Sequence, residues 1–185
     1  MFAEEEKNKT RRPVRKITKQ RLKNIGLYYL QRFESSTDNL RQVLRRRIQK
    51  YAFQNPEFDR GEAENWVEEV LSEFQNYGYI SDERYAELKV KDYMAAGKSL
   101  RYIQGKLKAK GIDENLIEQF AEEQDYDPLD AAMKLARKKH LGPFRQTEEE
   151  RRELRQKDMR TLVAAGFDYE TVMTVLDSEQ AENAL

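Results

Sequence analysis

The chain has 185 residues, of which 37% are charged and only 38% hydrophobic; this excludes a large compact core and favours amphipathic helices that each bury one stripe. Its 34 basic and 34 acidic residues cancel, which removes simple polycation attraction to DNA and leaves the placement of charge as the informative quantity. The absence of cysteine removes disulfides, thiolate nucleophiles and zinc knuckles, and the start is too charged for a signal peptide. No apolar run is long enough to cross a bilayer, so a cytoplasmic protein with no membrane partner is expected.

Residues 1–17 read as a basic disordered tail, since Lys7 to Lys23 carries nine cations and no acid. From Thr18, a plausible N-cap, Leu22, Ile25, Tyr29, Leu30 and Phe33 have helical spacing that ends at Ser35-Ser36. A second helix opens at Ser36, Thr37 or Asp38 and runs through Leu40, Val43, Leu44, Ile48 and Tyr51. Pro56 and Gly61 bracket an expected inserted loop near 52–61. The third helix carries the stripe Ala63, Trp66, Val67, Val70, Leu71 and Phe74 and stops at Tyr77-Gly78. Ser81 caps a fourth, with Tyr85, Leu88, Lys89, Asp92 and Tyr93, ending near Gly97. The fifth has Leu100, Ile103 and Leu107 before Gly111. Asp113 opens the sixth, which carries Leu116, Ile117 and Phe120. Asp127-Pro128 is a cap followed by a first-turn proline, starting a seventh that reaches His140. Thr147 begins an eighth that halts at Gly166, and a ninth covers Tyr169 to Leu176.

These elements repeat. A shift of fifty-five residues places Leu107 on Leu162, Gly111 on Gly166, Asp113 on Asp168, Ile117 on Val172 and Phe120 on Val175. Leu40, Leu44 and Ile48 form a weaker third copy. The expected fold is all-α: three tandem three-helix repeats, 18–80, 81–126 and 127–178, in an elongated array that is free to curve, followed by a tail from 179 to 185.

Catalytic motifs are scarce. Gly97-Lys98-Ser99 has the ending of a nucleotide-binding P-loop, but the upstream glycine would fall at Asp92 and no strand precedes it. Gly97 reads instead as a helix stop and Ser99 as a helix start. His140 is the only histidine, so no triad or metal cage can use a second imidazole; at a helix C-terminus beside Arg137, Lys138 and Lys139 it suits the helix dipole. Glu62, Glu64, Glu68 and Glu69 surround an apolar stripe as a solvated face does. A non-enzymatic protein with no cofactor or metal is therefore expected. Of the ten Tyr and eight Phe, Tyr29, Phe33, Trp66, Phe74, Tyr85 and Phe120 read as core, whereas Tyr51, Phe53 and Phe58 have no evident place.

Charge is patterned in blocks. Lys98, Arg101, Lys106, Lys108 and Lys110 form an acid-free stretch, followed by a base-free one from Asp113 to Asp127. Arg41, Arg45, Arg46 and Arg47 form a second basic cluster, with Arg41 and Arg45 on one helical face. A solvated surface is the commoner meaning of any one cluster, but recurrence in equivalent helices makes these nine cations candidate contacts for phosphates or for an acidic protein groove.

The segment Tyr77-Gly78-Tyr79-Ile80-Ser81-Asp82-Glu83-Arg84-Tyr85-Ala86 resembles the Gly-Tyr-Leu-Asp-Asp-x-Arg-Phe-Ala segment of the RecX family. Leu107, Lys110, Gly111 and Ile112 are similar to its second-repeat ending, Gly166 and Phe167 to part of its third, and Ser36, Leu40, Arg41 and Leu44 to its first-repeat pattern. Ala165, Asp158 and the long Tyr51 to Gly61 segment depart from it. The resemblance spans roughly Ile25 to Leu176. It implies a monomeric negative regulator that binds the RecA filament on single-stranded DNA, touching DNA directly or through the filament, and limits filament growth, ATPase and strand exchange. Two rival readings are an autonomous helical DNA-binding protein and a helical scaffold for another partner.

Overall fold

The computed structural model describes residues 15–179, and these residues form helices without strands. The tail expected over 1–17 lies mostly outside the described residues, as does the C-terminal one beyond Glu179. The helices are α1 (Lys19–Leu30), α2 (Thr37–Gln54), α3 (Arg60–Asn76), α4 (Asp82–Ala95), α5 (Leu100–Lys108), α6 (Glu114–Glu123), α7 (Pro128–Lys139), α8 (Glu148–Ala164) and α9 (Tyr169–Asp177). A single 3-10 turn, Gly142–Phe144, stands between α7 and α8.

Local chemistry sets these boundaries. Thr18, Asp59, Ser81, Ser99, Asp113, Asp127, Thr147 and Asp168 precede eight of the helices, and each side chain accepts a backbone N–H from the first turn. Such a cap is typically worth about 1 kcal/mol. His140 closes α7 in the left-handed conformation, φ 53°. Gly97, at φ +64°, closes α4, and a Cβ there would lie 2.8 Å from Lys134 Cβ and 3.0 Å from the Ala131 carbonyl oxygen. It is thus both a helix stop and a point of close approach between α4 and α7.

The chain divides into two compact units. One comprises residues through Glu34 together with Asn39–Ile80; the other comprises Ser35–Asp38 together with the residues from Ser81 on. In the first unit, Leu22, Leu40, Leu44, Ile48, Leu71 and Phe74 share one buried core. α1 lies close on α3 because Gly26 faces the Phe74 ring: a Cβ there would come within 2.6 Å of its Cε2. Glycine inside a helix costs about 1 kcal/mol relative to alanine, and this contact accounts for its presence.

Within the second unit, Ser36 donates its hydroxyl to the Lys110 carbonyl at 2.6 Å and the Thr37 N–H donates to Asp82 at 2.7 Å. Two cores lie farther along. Ile103, Leu107 and Ile117 anchor the core of α4–α6, and Leu135, Leu162, Val172 and Leu176 anchor that of α7–α9. Tyr126 packs against both and accepts the Leu100 N–H at 2.9 Å; burial pushes its phenol pKa up. Ser99 donates to the Ala165 carbonyl at 2.7 Å, so the position where the family's basic residue is replaced by alanine contributes through its backbone.

Several expectations are corrected. α1 ends at Leu30, the chain turns through Tyr29–Phe33 hydrogen bonding, and Phe33 is 55% exposed rather than core. Leu88 is likewise exposed, because α4 buries Tyr85, Ala86 and Val90 instead. The inserted loop shrinks to residues 55–59: α2 continues to Gln54, and Asp59 caps α3 so early that Gly61 lies inside the helix. Tyr51 and Phe58 form an edge-to-face pair, centroids 4.9 Å apart, against the first core, while Phe53 is 82% exposed.

The unexpected core residue is Asp158, with 0% exposure. A buried carboxylate is tolerable only when its lone pairs are satisfied. It accepts the Gly142 N–H at 2.8 Å and two guanidinium bonds from Arg145, at 3.0 Å from Nε and 2.5 Å from Nη2, which raise the Arg145 pKa. One side chain therefore fastens the 3-10 turn and its following loop to α8. Asp158→Ala is expected to cost about 3 kcal/mol in urea denaturation, because it removes the acceptor of the buried Gly142 N–H and breaks the ion pair with Arg145; Asp158→Leu combined with Arg145→Met should recover part of that loss.

The Asp168 cap has a pH signature. The Thr171 backbone N–H at 2.8 Å and its hydroxyl at 2.7 Å hold the Asp168 carboxyl below the usual carboxylate range. Since the folded pKa lies below the unfolded value of about 3.9, the contribution is complete above that value and is lost as pH falls through the folded pKa. Asp168→Ala should therefore lower the melting temperature at pH 7, and the gap from the parent should close as the pH drops below about 4.

Candidate functional site

The cations of α2 do not all face solvent alone. Arg41 makes a two-pronged contact with Glu68 of α3, at 2.9 Å from Nε and 3.1 Å from Nη2. Arg45 donates to Glu64 at 2.6 Å and lies 3.8 Å from Glu68. On the same helix Arg46 donates to the Gln42 carbonyl at 3.2 Å. α3 also pairs with α1 through Lys19–Glu69 at 2.6 Å and Lys23–Glu73 at 2.7 Å. The hydrogen bond from Lys23 holds the Glu73 carboxyl below its ordinary range. The acidic face of α3, read from sequence as merely solvated, neutralises half of the Arg41–Arg47 cluster.

Arg47 stands apart from these pairs. It lines a cleft of about 500 Å³ with Arg15 and Arg21, neither of which was singled out by its sequence pattern beyond the basic N-terminal stretch.

On α5 the cations also differ among themselves. Lys108 pairs with Glu114 of α6 at 2.5 Å, and Gln104 donates to Glu118 at 2.9 Å, so the opposite charges of α5 and α6 meet in part. Lys98 and Lys106 instead converge on one ring: their Nζ atoms lie 4.9 and 5.4 Å from the centroid of Tyr102, a cation–π range. Tyr93 meets the same ring edge-on at 5.7 Å. Arg101 is exposed beside them, and Lys110 is partly buried, its carbonyl taken by Ser36. Ser99 and Gly97 serve as helix cap and stop, so Lys98 belongs to this cation–aromatic cluster and not to a phosphate loop.

Sequence spacing missed a further cluster in the second unit. Lys139, Lys157 and Arg160 line an open cleft of about 470 Å³ beside Thr161 and Ala165. Its mark in the sequence is the run of bases at the end of α7, which the helix dipole alone also explains. Among the described residues no group of three or more His, Asp or Glu side chains is arranged to hold a metal ion, and no helix is long and apolar enough to cross a membrane.

Comparison with known proteins gives this arrangement its context. Residues 81–119 match the family model described as RecX, second three-helix domain. The chain is 36% identical over 181 residues to the regulatory protein RecX of Myxococcus xanthus strain DK1622, covering 95% of this chain and 96% of that one. It is 35% identical over 122 residues to the regulatory protein RecX of Neisseria meningitidis serogroup A strain Z2491, covering 66% and 75%. The crystal structure of RecX from Lactobacillus salivarius superposes with a TM-score of 0.62 at 22% identity, over 86% of this chain and 96% of that chain. A second crystal structure of regulatory protein RecX gives 0.63 at 22% identity, over 86% and 73%.

Short capped helices around small cores make this an all-helical protein with the fold of those RecX structures. It belongs to the RecX family.

The pairing on α3 has a measurable consequence. Exposed ion pairs contribute at most about 1 kcal/mol each, so Glu64→Gln with Glu68→Gln should leave the melting temperature within a few degrees of the parent while releasing two guanidinium groups. A larger thermal loss, read by circular dichroism, would mean that these pairs carry the packing of α2 on α3.

Proposed function

We propose that this protein restrains the RecA recombinase by binding its filament on single-stranded DNA, limiting filament growth, ATPase and strand exchange without catalysis of its own. The observation that carries this reading is the 36% identity with a RecX regulatory protein over nearly the whole of both chains. The three cores support a division into successive three-helix repeats over 18–80, 81–126 and 127–178. The proposal further takes the protein to act as a monomer in the cytoplasm, where RecA and DNA meet.

Within the basic set, pairing sorts the contacts. Arg41, Arg45 and Lys108 spend charge on neighbouring carboxylates. Arg46, Arg47, Lys98, Arg101 and Lys106 have no acidic partner among the described residues and are the members best able to meet filament or phosphate. Each phosphate neutralised releases counterions, so contact through these residues should be salt-sensitive.

The test is RecA ATPase on single-stranded DNA with substoichiometric protein, beside a gel shift on the same DNA without RecA. Inhibition should appear at concentrations well below those needed to shift free DNA. Reversing Arg46, Arg47, Lys98 and Lys106 to Glu should abolish inhibition with helical content intact. Strong salt-sensitive DNA binding with unaffected RecA turnover would replace this reading with that of an autonomous DNA-binding protein.

A further inference from the structure

We infer that the cleft between α1 and α2 is a binding site for the phosphodiester backbone of single-stranded nucleic acid, built from Arg15, Arg21 and Arg47 with Tyr28 beside them. It rests on the reading that this protein acts where a filament presents single-stranded DNA.

The first unit distributes its charge unevenly. Lys19 and Lys23 of α1 and Arg41 and Arg45 of α2 are paired with carboxylates of α3. Three further guanidinium groups, those of Arg15, Arg21 and Arg47, line one cleft of about 500 Å³ and have no acidic partner among the described residues. Three like charges sharing a cleft repel, and the arrangement becomes favourable when an anion enters.

The Nε of Arg21 is cut off from solvent, so its terminal nitrogens are the ones left to meet a ligand. The planar forks of arginine match the paired oxygens of a phosphate better than the point charge of lysine does.

The rest of the lining favours nucleic acid over an acidic peptide. Tyr28 borders the cleft and is 56% exposed, and the Arg32 guanidinium stacks 4.2 Å from its ring centroid. An exposed ring beside a cationic groove is the arrangement on which single-stranded bases stack, whatever their sequence. Gln20 and Asn24, joined by a 3.0 Å hydrogen bond, supply polar groups on the same wall.

Fluorescence anisotropy of a labelled thirty-nucleotide oligo-dT with the full chain, without RecA and over a range of salt concentrations, tests this assignment. Arg21→Gln with Arg47→Gln should weaken binding at least tenfold at low salt. It should also flatten the slope of log affinity against log salt by about 1.4, since each lost phosphate contact on a single strand removes about 0.7. Arg47→Gln alone, at an exposed position, and Tyr28→Leu should each give a smaller loss with an unchanged helical spectrum, which guards against misfolding of the double variant. Parent-like binding by the double variant, no binding by the parent at low salt, or displacement of the oligonucleotide by poly-glutamate as readily as by unlabelled oligo-dT would overturn the assignment. RecA ATPase measured with the parent protein reads the regulatory function separately. Oligonucleotide binding through the cleft with uninhibited RecA would remove the regulatory reading and leave the cleft standing.

Discussion

The hydrogen bond that a Ser, Thr or Asp side chain accepts from a backbone N–H at the head of a helix is the interaction on which the rest of this fold depends. With so little apolar surface, helices as short as α5, α6 and α9 cannot persist on burial alone. Their ends must be satisfied locally. Ser99, Asp113 and Asp168 do this for those three, and left-handed Gly97, Gly111 and Gly166 close the helices before them. Stop and cap thus recur two residues apart, which turns the chain sharply between helices and lets small cores form one after another.

Electrostatics then decides which charges remain available. In the first unit α3 acts as an internal counter-ion, its glutamates taking up lysines of α1 and arginines of α2. On α5 the neighbouring α6 takes Lys108, while Tyr102 gathers Lys98 and Lys106. A chain of zero formal net charge can therefore present concentrated positive sites, because its acids are used up at chosen helix faces.

Local features were legible in sequence for this reason and distant ones were not. Helix starts at Thr18, Ser81, Asp113 and Thr147 and the turn at His140 follow from neighbours within a few residues. Exposure of Phe33 and Leu88 depends on where a helix ends and which face it buries, and helical spacing alone overstated the burial of both. The basic clusters were visible, but their pairing was not, since Arg45 and Arg41 meet acids 19 and 27 positions away. Asp158 was visible only as a departure from an apolar pattern; its partner Arg145 carries no mark in the sequence.

That pair bears on how the protein can change over time. Asp158 occupies a position that the family resemblance assigns to an apolar side chain, with Arg145 as its ion-pair partner, and its charge without that partner is a buried liability. Passage between the apolar and charged solutions runs through a destabilised intermediate. The two residues should therefore be inherited as a linked pair in descendants of this lineage, and the loop from Gly142 to Arg145 is constrained in sequence although it lies between helices.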